Sequence, residues 1–489
     1  MKHLGRASAA RFSWKTFFRR NSHVCALTLI AMTSGIYSSS ATAGLGLSER
    51  ELGMTAFGYF NPVLYGKSAG LAALQFGFRD EQFARAKKNG WAIDVQGVAS
   101  SYVGASQASG GQGAAASQTS FWFEAPELAW APPPFENAQI TIGRKIENWS
   151  SLDEAWGLGI WQARNRWDYL HVSSVGLAGL FTDYKQGAWG FRIFASGLFI
   201  PERGPTLSVR DGVFYPSNPW ASSPPSSAPL VKGIDADIQY SIVMPSLAKL
   251  LLQPSLAAQA RYGAEAGKDG EWITASYANK PINQIALAYD GSFDLGTDQA
   301  NALIYPRIAR HQIAQIEAGH QDKRTTSWAS ALFEAPSLAS APSTWTYQTF
   351  PNSLLLGAGG SFKLASRIEA FGDYLKRFGP TAADQGPQAA AGSSVFDPRT
   401  LFGHAVSGGV RGSVLGSERL TARLKMTYAF ESAGTLMSTE LRYRPVQSWI
   451  LALGADVLGA DSPSVSRQND FITKYRAHDR VYGGVSYAY

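Results

Sequence analysis

Three observations predict an all-β chain closed as an antiparallel up-and-down barrel of about eighteen strands, with lipid outside and water inside. Segments of roughly ten residues alternate apolar and polar side chains along most of the chain, the period-2 pattern of strands with two unlike faces. Charged residues make up only 17% and aromatic residues 12%, whereas ordinary soluble domains carry roughly 25% charge. The chain ends in VYGGVSYAY, a strand-like alternation whose last residue is the ring of Tyr489.

The N-terminal segment is a targeting signal. Residues 1–23 carry Lys2, Arg6, Arg11, Lys15, Arg19 and Arg20 and no acid. The apolar run Val24 to Tyr37 follows, then Ala41-Thr42-Ala43. A basic region, a short apolar core and an Ala-x-Ala site predict a secretory signal peptide over 1–43, cleaved after Ala43. The whole chain has 44 basic and 37 acidic residues. The leader takes six of the basic ones, leaving 38 against 37, so its basicity points to export and excludes a nucleic-acid partner. The only cysteine, Cys25, leaves as well, so no disulfide can hold the mature chain. Complete strand pairing in a closed barrel can.

Residues 44–90 fit the alternation least. Small residues and aromatics (FGYFNPVLYGKSAGLAALQFGF) run into a charged piece, RDEQFARAKKNG. The expectation is an N-terminal extension or plug-like segment, one further strand being the alternative.

The barrel is expected over 91–489. Trp91 to Val103 sets Trp91, Ile93 and Val95 against Asp94 and Gln96. Thr119–Ala131, Ala138–Lys145, Gly187–Ile200 and Ser255–Gly263 alternate in the same way, and the C-terminal third repeats it most clearly. There Leu420, Ala422, Leu424, Met426 and Tyr428 oppose Thr421, Arg423, Lys425 and Thr427. Boundaries leave 16 or 14 strands open. In the last strand Val481, Val485, Tyr487 and Tyr489 should face lipid, with Arg480 at the lumen edge. Some links are tight, such as Gly416-Ser417 and Pro445-Val446-Gln447. Others, at 201–232, 335–350, 379–402 and 460–476, are long and rich in Pro, Gly, Ser and Ala. The proline-dense 201–232 loop is expected at the surface, inward folding being the less common arrangement.

No catalytic, cofactor or metal constellation emerges. The five histidines of the mature chain, His171, His311, His320, His404 and His478, are scattered, and CxxC and HExxH are absent. His478-Asp479 could join an acid–base site, but such an isolated pair is expected to be a solvated turn. Enzyme activity is therefore not expected. The functional signal is a row of charge on the faces opposite the apolar ones: Arg192, Arg261, Arg367, Arg411, Arg423, Lys425, Arg442 and Arg444, with Glu369, Asp373, Glu440 and Asp456 among them. A lipid-facing Lys or Arg at mid-depth costs about 2–4 kcal/mol, so the alternation assigns them to the lumen. Such a wall would favour anionic or polyhydroxylated solutes.

With its leader, repeated strands and terminal aromatic, the chain resembles the outer-membrane β-barrel proteins of Gram-negative bacteria, large porin-like barrels in particular. Ile140–Trp161 (ITIGRKIENWSSLDEAWGLGIW) also resembles Gly-Arg…Trp-Gly segments of large porins and of barrels that export or assemble exopolysaccharide. The resemblance implies an exported outer-membrane channel for passive diffusion of small hydrophilic solutes. A transport or assembly barrel for hydrophobic molecules or polysaccharide, or a non-conducting structural barrel or adhesin, are the alternatives. The partners implied are outer-membrane lipid, the barrel-assembly machinery through the C-terminal strand, and small solutes, with a homotrimer one arrangement left open.

Overall fold

The first and last strands of the chain pair with each other, and that pairing closes the sheet. A computed structural model describes residues 50–488 apart from 60–68, 82–89, 106–114, 206, 222–223, 226, 230–234, 266–267, 295–298, 388, 390–394, 415–417 and 461–469. The leader 1–43, the Gly416-Ser417 link and Tyr489 lie outside the described residues. The barrel strands are β1 (Arg50–Tyr59), β2 (Ala69–Glu81), β3 (Gly90–Ala105), β4 (Ala115–Ala131), β5 (Ala138–Lys145) and β6 (Leu177–Gln186). Next come β7 (Trp189–Ser196), β8 (Ser255–Gly263), β9 (Gly270–Pro281), β10 (Arg310–Gln321), β11 (Thr325–Ser337) and β12 (Ser353–Ala365). The last six are β13 (Ile368–Phe378), β14 (His404–Ser413), β15 (Leu420–Ala429), β16 (Gly434–Tyr443), β17 (Trp449–Ala460) and β18 (Arg480–Ala488). Each pairs antiparallel with its neighbours in chain order, and β1 meets β18 from Glu51↔Ala488 to Tyr59↔Arg480. The result is a closed eighteen-stranded antiparallel barrel with no free edge.

The two ends differ. At the end where β1 begins and β18 finishes, connections are short: 132–137, 187–188, 264–269, 322–324, 366–367 and 444–448. Gly187 takes φ +58° in the tightest of them, a left-handed conformation suited to glycine. The opposite end carries the long connections 146–176, 197–254, 282–309, 338–352 and 379–403. Above that loop end, Asp235–Ile242, Gln299–Arg307, Ala286–Asp294, Thr346–Thr349 and Ala383–Gln385 pair into a smaller sheet. Among the described residues three short helices also lie at this end: α1 (Ser151–Trp156), α2 (Leu247–Leu251) and, between β17 and β18, α3 (Phe471–Tyr475).

Outward positions are apolar and exposed, among them Phe121, Phe123, Ile193, Ile273, Ile316, Phe333, Leu451 and Leu453. Around the turn end runs an aromatic girdle. Trp91 packs against Trp130, Trp189 against Tyr262, and Trp449 against Tyr487 at ring-centroid distances of 6.3, 4.9 and 5.1 Å. Rings with an apolar body and a polar tip suit the boundary between hydrocarbon and water.

The described residues of segment 44–90 form no plug: Arg50–Tyr59 and Ala69–Glu81 are two barrel strands, the first of them half of the closing seam. The seam needs a partner for both sides of β18, and β1 supplies it. Gly187–Ile200 is shorter than expected, its strand running only from Trp189 to Ser196.

Leu453 stands on the outward face of β17 at 61% exposure. Its replacement by Arg should cost about 2–4 kcal/mol of folding free energy. Urea titration of folding into lipid vesicles measures this, and a loss within the error of the extrapolation would refute the outward assignment.

Candidate functional site: a strap across the lumen

The 146–176 connection turns inward and crosses the bore. Its first part docks on the inner face of β8 to β12. Helix α1 is capped by Ser150, whose side chain accepts from the Asp153 backbone, and ends at Gly157 in the left-handed region (φ +56°). The Ser151 backbone and hydroxyl donate to the Glu317 carboxylate of β10 at 2.9 and 2.7 Å. Gln315 donates to Ser150 Oγ at 2.7 Å, and Gln259 of β8 donates to the Trp149 carbonyl at 3.1 Å. Leu152 is wholly buried against Gly357 of β12, where any Cβ would collide with its Cδ1.

The middle of the strap is held by ions taken out of water. Asp153 accepts from the Ile160 backbone at 2.8 Å and pairs with Arg164 at 3.0 Å, while Arg164 also meets Glu154 at 2.9 Å. Arg166, wholly buried, donates to the Gly157 and Leu158 carbonyls and faces Glu202 at 3.3 Å.

The far part docks on the closing seam, halfway around the ring from β10. Arg480 of β18 is fully buried and bridges Asp168 of the strap and Asp456 of β17, both at 2.7 Å. His171 adds a contact to Asp456 at 3.3 Å, with its ring edge on Tyr482. Burial works against the charged form of His171, but Asp456 and Asp168 outweigh it and hold its pKa above the usual histidine value.

Other loops seal the strap from the loop end. Asn218 donates to the Trp167 carbonyl at 2.7 Å, and Tyr475 of α3 donates to the Trp220 carbonyl at 3.1 Å. Tyr169, Trp220, Phe402, Phe471 and Tyr475 form one buried aromatic cluster with α1. The 201–232 loop therefore does not lie wholly at the surface, because residues 217–221 are buried inside the barrel mouth. Nor is His478-Asp479 a solvated turn. His478 stacks on Trp220 at 4.9 Å with Nε2 2.8 Å from the Pro219 carbonyl, and Asp479 accepts from the Leu458 backbone at 2.7 Å. Burial pushes the His478 pKa down to about 4.

Between the strap and the β15–β16 wall remains a cavity of about 480 Å³, lined on one side by Asp94, Gln96, Glu147 and Glu154 and on the other by Lys425, Thr427 and Ser438. Strand register puts Arg192, Arg261, Glu369, Asp373, Arg411, Arg423, Lys425, Glu440, Arg442 and Asp456 on the inward face. Arg192 pairs with Asp183 and Glu147, Arg411 with Glu369, and Arg442 with Glu440. Arg423 and Lys425 make no ion pair or hydrogen bond among the described residues; Arg423 lies over the Phe371 ring at 5.9 Å. Arg367 and Arg444 do not belong to this wall. They sit in the short connections 366–367 and 444–448, where Arg367 meets Glu418 at 3.1 Å and Arg444 is exposed. A turn breaks the alternation on which their placement depended. Sequence reasoning missed Asp168 and His171, whose partners Arg480 and Asp456 are remote in the chain, and Arg166, whose counter-ion Glu202 lies in another connection.

The chain matches no known family model and no curated protein sequence. By structure it is similar to OpdQ of Pseudomonas aeruginosa (TM-score 0.42, 10% identity, 90% of this chain and 97% of that one). OccK5 (OpdH) of the same organism is similar at TM-score 0.39 and 10% identity, covering 91% of this chain and 99% of its own. OccAB4 of Acinetobacter baumannii stands at TM-score 0.37 and 10% identity, with 90% and 98% covered. At such scores and identities the architecture rests on this chain's own strand pairing.

Arg480→Met leaves Asp168 and Asp456 without their shared cation. It should cost about 3–5 kcal/mol, the penalty for stranding buried charge, whereas Arg192→Met, at a half-buried pair, should cost under about 1 kcal/mol. Equal losses in equilibrium unfolding would contradict the clamp. A second expectation concerns pH. A raised folded-state pKa means that the His171 contact contributes fully below the ordinary histidine value, near 6.5, and fades as pH climbs through the raised value. Amide hydrogen exchange over 163–172, corrected for intrinsic rate, should therefore accelerate above neutrality in the wild type and not in His171→Gln.

Proposed function

We propose that the protein is an exported outer-membrane channel, porin-like, passing small hydrophilic solutes by diffusion with a preference for anions. Closure, the exposed apolar belt, the aromatic girdle and the contrast between a turn end and a loop end support an outer-membrane barrel. The turn end would face the periplasm and the loop end the exterior.

The observation that carries the channel reading is the wall of β14 to β16. Arg411 and Arg442 are ion-paired, but Arg423 and Lys425, neighbours on the inward face of β15, form no ion pair among the described residues. Fixed unneutralised charge beside a low-dielectric wall concentrates counter-ions. A second reading, a braced barrel that does not conduct, is favoured by the strap and the aromatic cluster at the mouth.

Single-channel recording in planar bilayers separates the two. Stable openings are expected, with an anion preference that falls at least about twofold when Arg423 and Lys425 become Gln. Membrane insertion without openings would establish the braced barrel instead.

A further inference from the structure

The loop-end rim outside β8 to β10 carries an apolar and cationic surface that the channel does not use. Met244, Leu247 and Leu252, in and around α2, are 62%, 69% and 65% exposed. They continue the lipid-facing surface upward from Leu256, the first outward leucine of β8 at 53% exposure. An apolar run of this kind above the strand ends is not explained by packing within the chain.

Beside it lies an open groove of about 600 Å³ between Lys249, Leu250 and Leu252 on one side and Pro306, Arg307 and Ile308 on the other, with no acidic residue in its lining. Arg307 donates through Nη2 to the Ala339 and Ser340 carbonyls, while its buried Nη1 has no partner among the described residues. A third cation, Arg310, follows on the outward face of β10 and donates to Asn279 at 3.0 Å. Cations set directly above an apolar belt match a molecule with phosphate above acyl chains.

We propose that this rim binds one outer-leaflet lipid, with Lys249, Arg307 and Arg310 on its phosphate and Leu247 and Leu252 against its acyl chains. The site rests on the outer-membrane reading but not on conduction. The carbonyls of Ala339 and Ser340 occupy Nη2 and hold the guanidinium in place, leaving Nη1 as the donor available to a phosphate oxygen.

The test uses the full mature chain in detergent micelles, titrated with diphosphoryl lipid A and with its dephosphorylated form, retained lipid being counted by native mass spectrometry. The phosphorylated form should be retained at roughly tenfold lower concentration. Lys249→Gln with Arg307→Gln and Arg310→Gln should abolish that preference. Should the triple variant lose the heat-modifiable gel migration of a folded barrel, Lys249→Glu alone decides the matter, since its side chain has no partner among the described residues to lose. Unchanged preference in the folded variants would overturn the site. So would displacement of the lipid by inorganic phosphate at equal concentration, which would mark a plain anion site. A protein that inserts without conducting but keeps the preference overturns the channel and supports this site; conduction without the preference does the reverse.

Discussion

Everything in this molecule depends on β1 pairing with β18. A sheet in hydrocarbon cannot leave a row of backbone N–H and C=O groups unsatisfied, so an open edge there is untenable. Once Glu51 faces Ala488 and Tyr59 faces Arg480, the register around the ring assigns every side chain to lipid or lumen. A one-residue slip would exchange the two sets. The closing strand carries both kinds of information: Val481 and Tyr487 look outward, while Arg480 and Tyr482 look inward to receive the strap.

The strap inherits its position from that seam. At one end it is fixed by directional hydrogen bonds to Glu317 and Gln315, at the other by the bridge from Arg480 to Asp168 and Asp456. Such buried ions gain little net stability over a well-packed apolar contact, because desolvation offsets most of their attraction. They do penalise every other placement, since a displaced strap would strand each charge. Apolar packing alone would be more permissive. The one tight apolar fit, Leu152 in the notch at Gly357, sits where the strap first touches the wall.

The barrel was legible in the sequence wherever the two faces differ in polarity, as along Leu420–Tyr428. It was not legible over residues 50–81, and the reason is chemical. In β1 the inward residues include Phe57 and Tyr59, buried with Leu71, Trp122, Trp167 and Tyr482, while Leu52 and Met54 face outward. Both faces are apolar, so no alternation shows. Most lumen-facing charges could be read from strand parity; Arg367 and Arg444 could not, because parity fails at a turn. The strap's anchors were out of reach for another reason: Asp168 meets Arg480 across 312 residues of chain, and no local pattern encodes that.

The distribution of paired and unpaired charge then argues where water lies. Every ion of the strap has a counter-ion: Asp153 and Glu154 with Arg164, Arg166 with Glu202, Asp168 with Arg480. Below the strap the rule relaxes, and Arg423 and Lys425 stand half-buried with no ion pair or hydrogen bond among the described residues. An unpartnered cation in a dry interior would cost several kcal/mol, more than a marginally stable fold tolerates twice on one strand. Lys425 lines the cavity beside the strap, where water could solvate it. A strap held by paired ions above a wall with two cations outside any ion pair is the arrangement that the proposed narrowed passage requires.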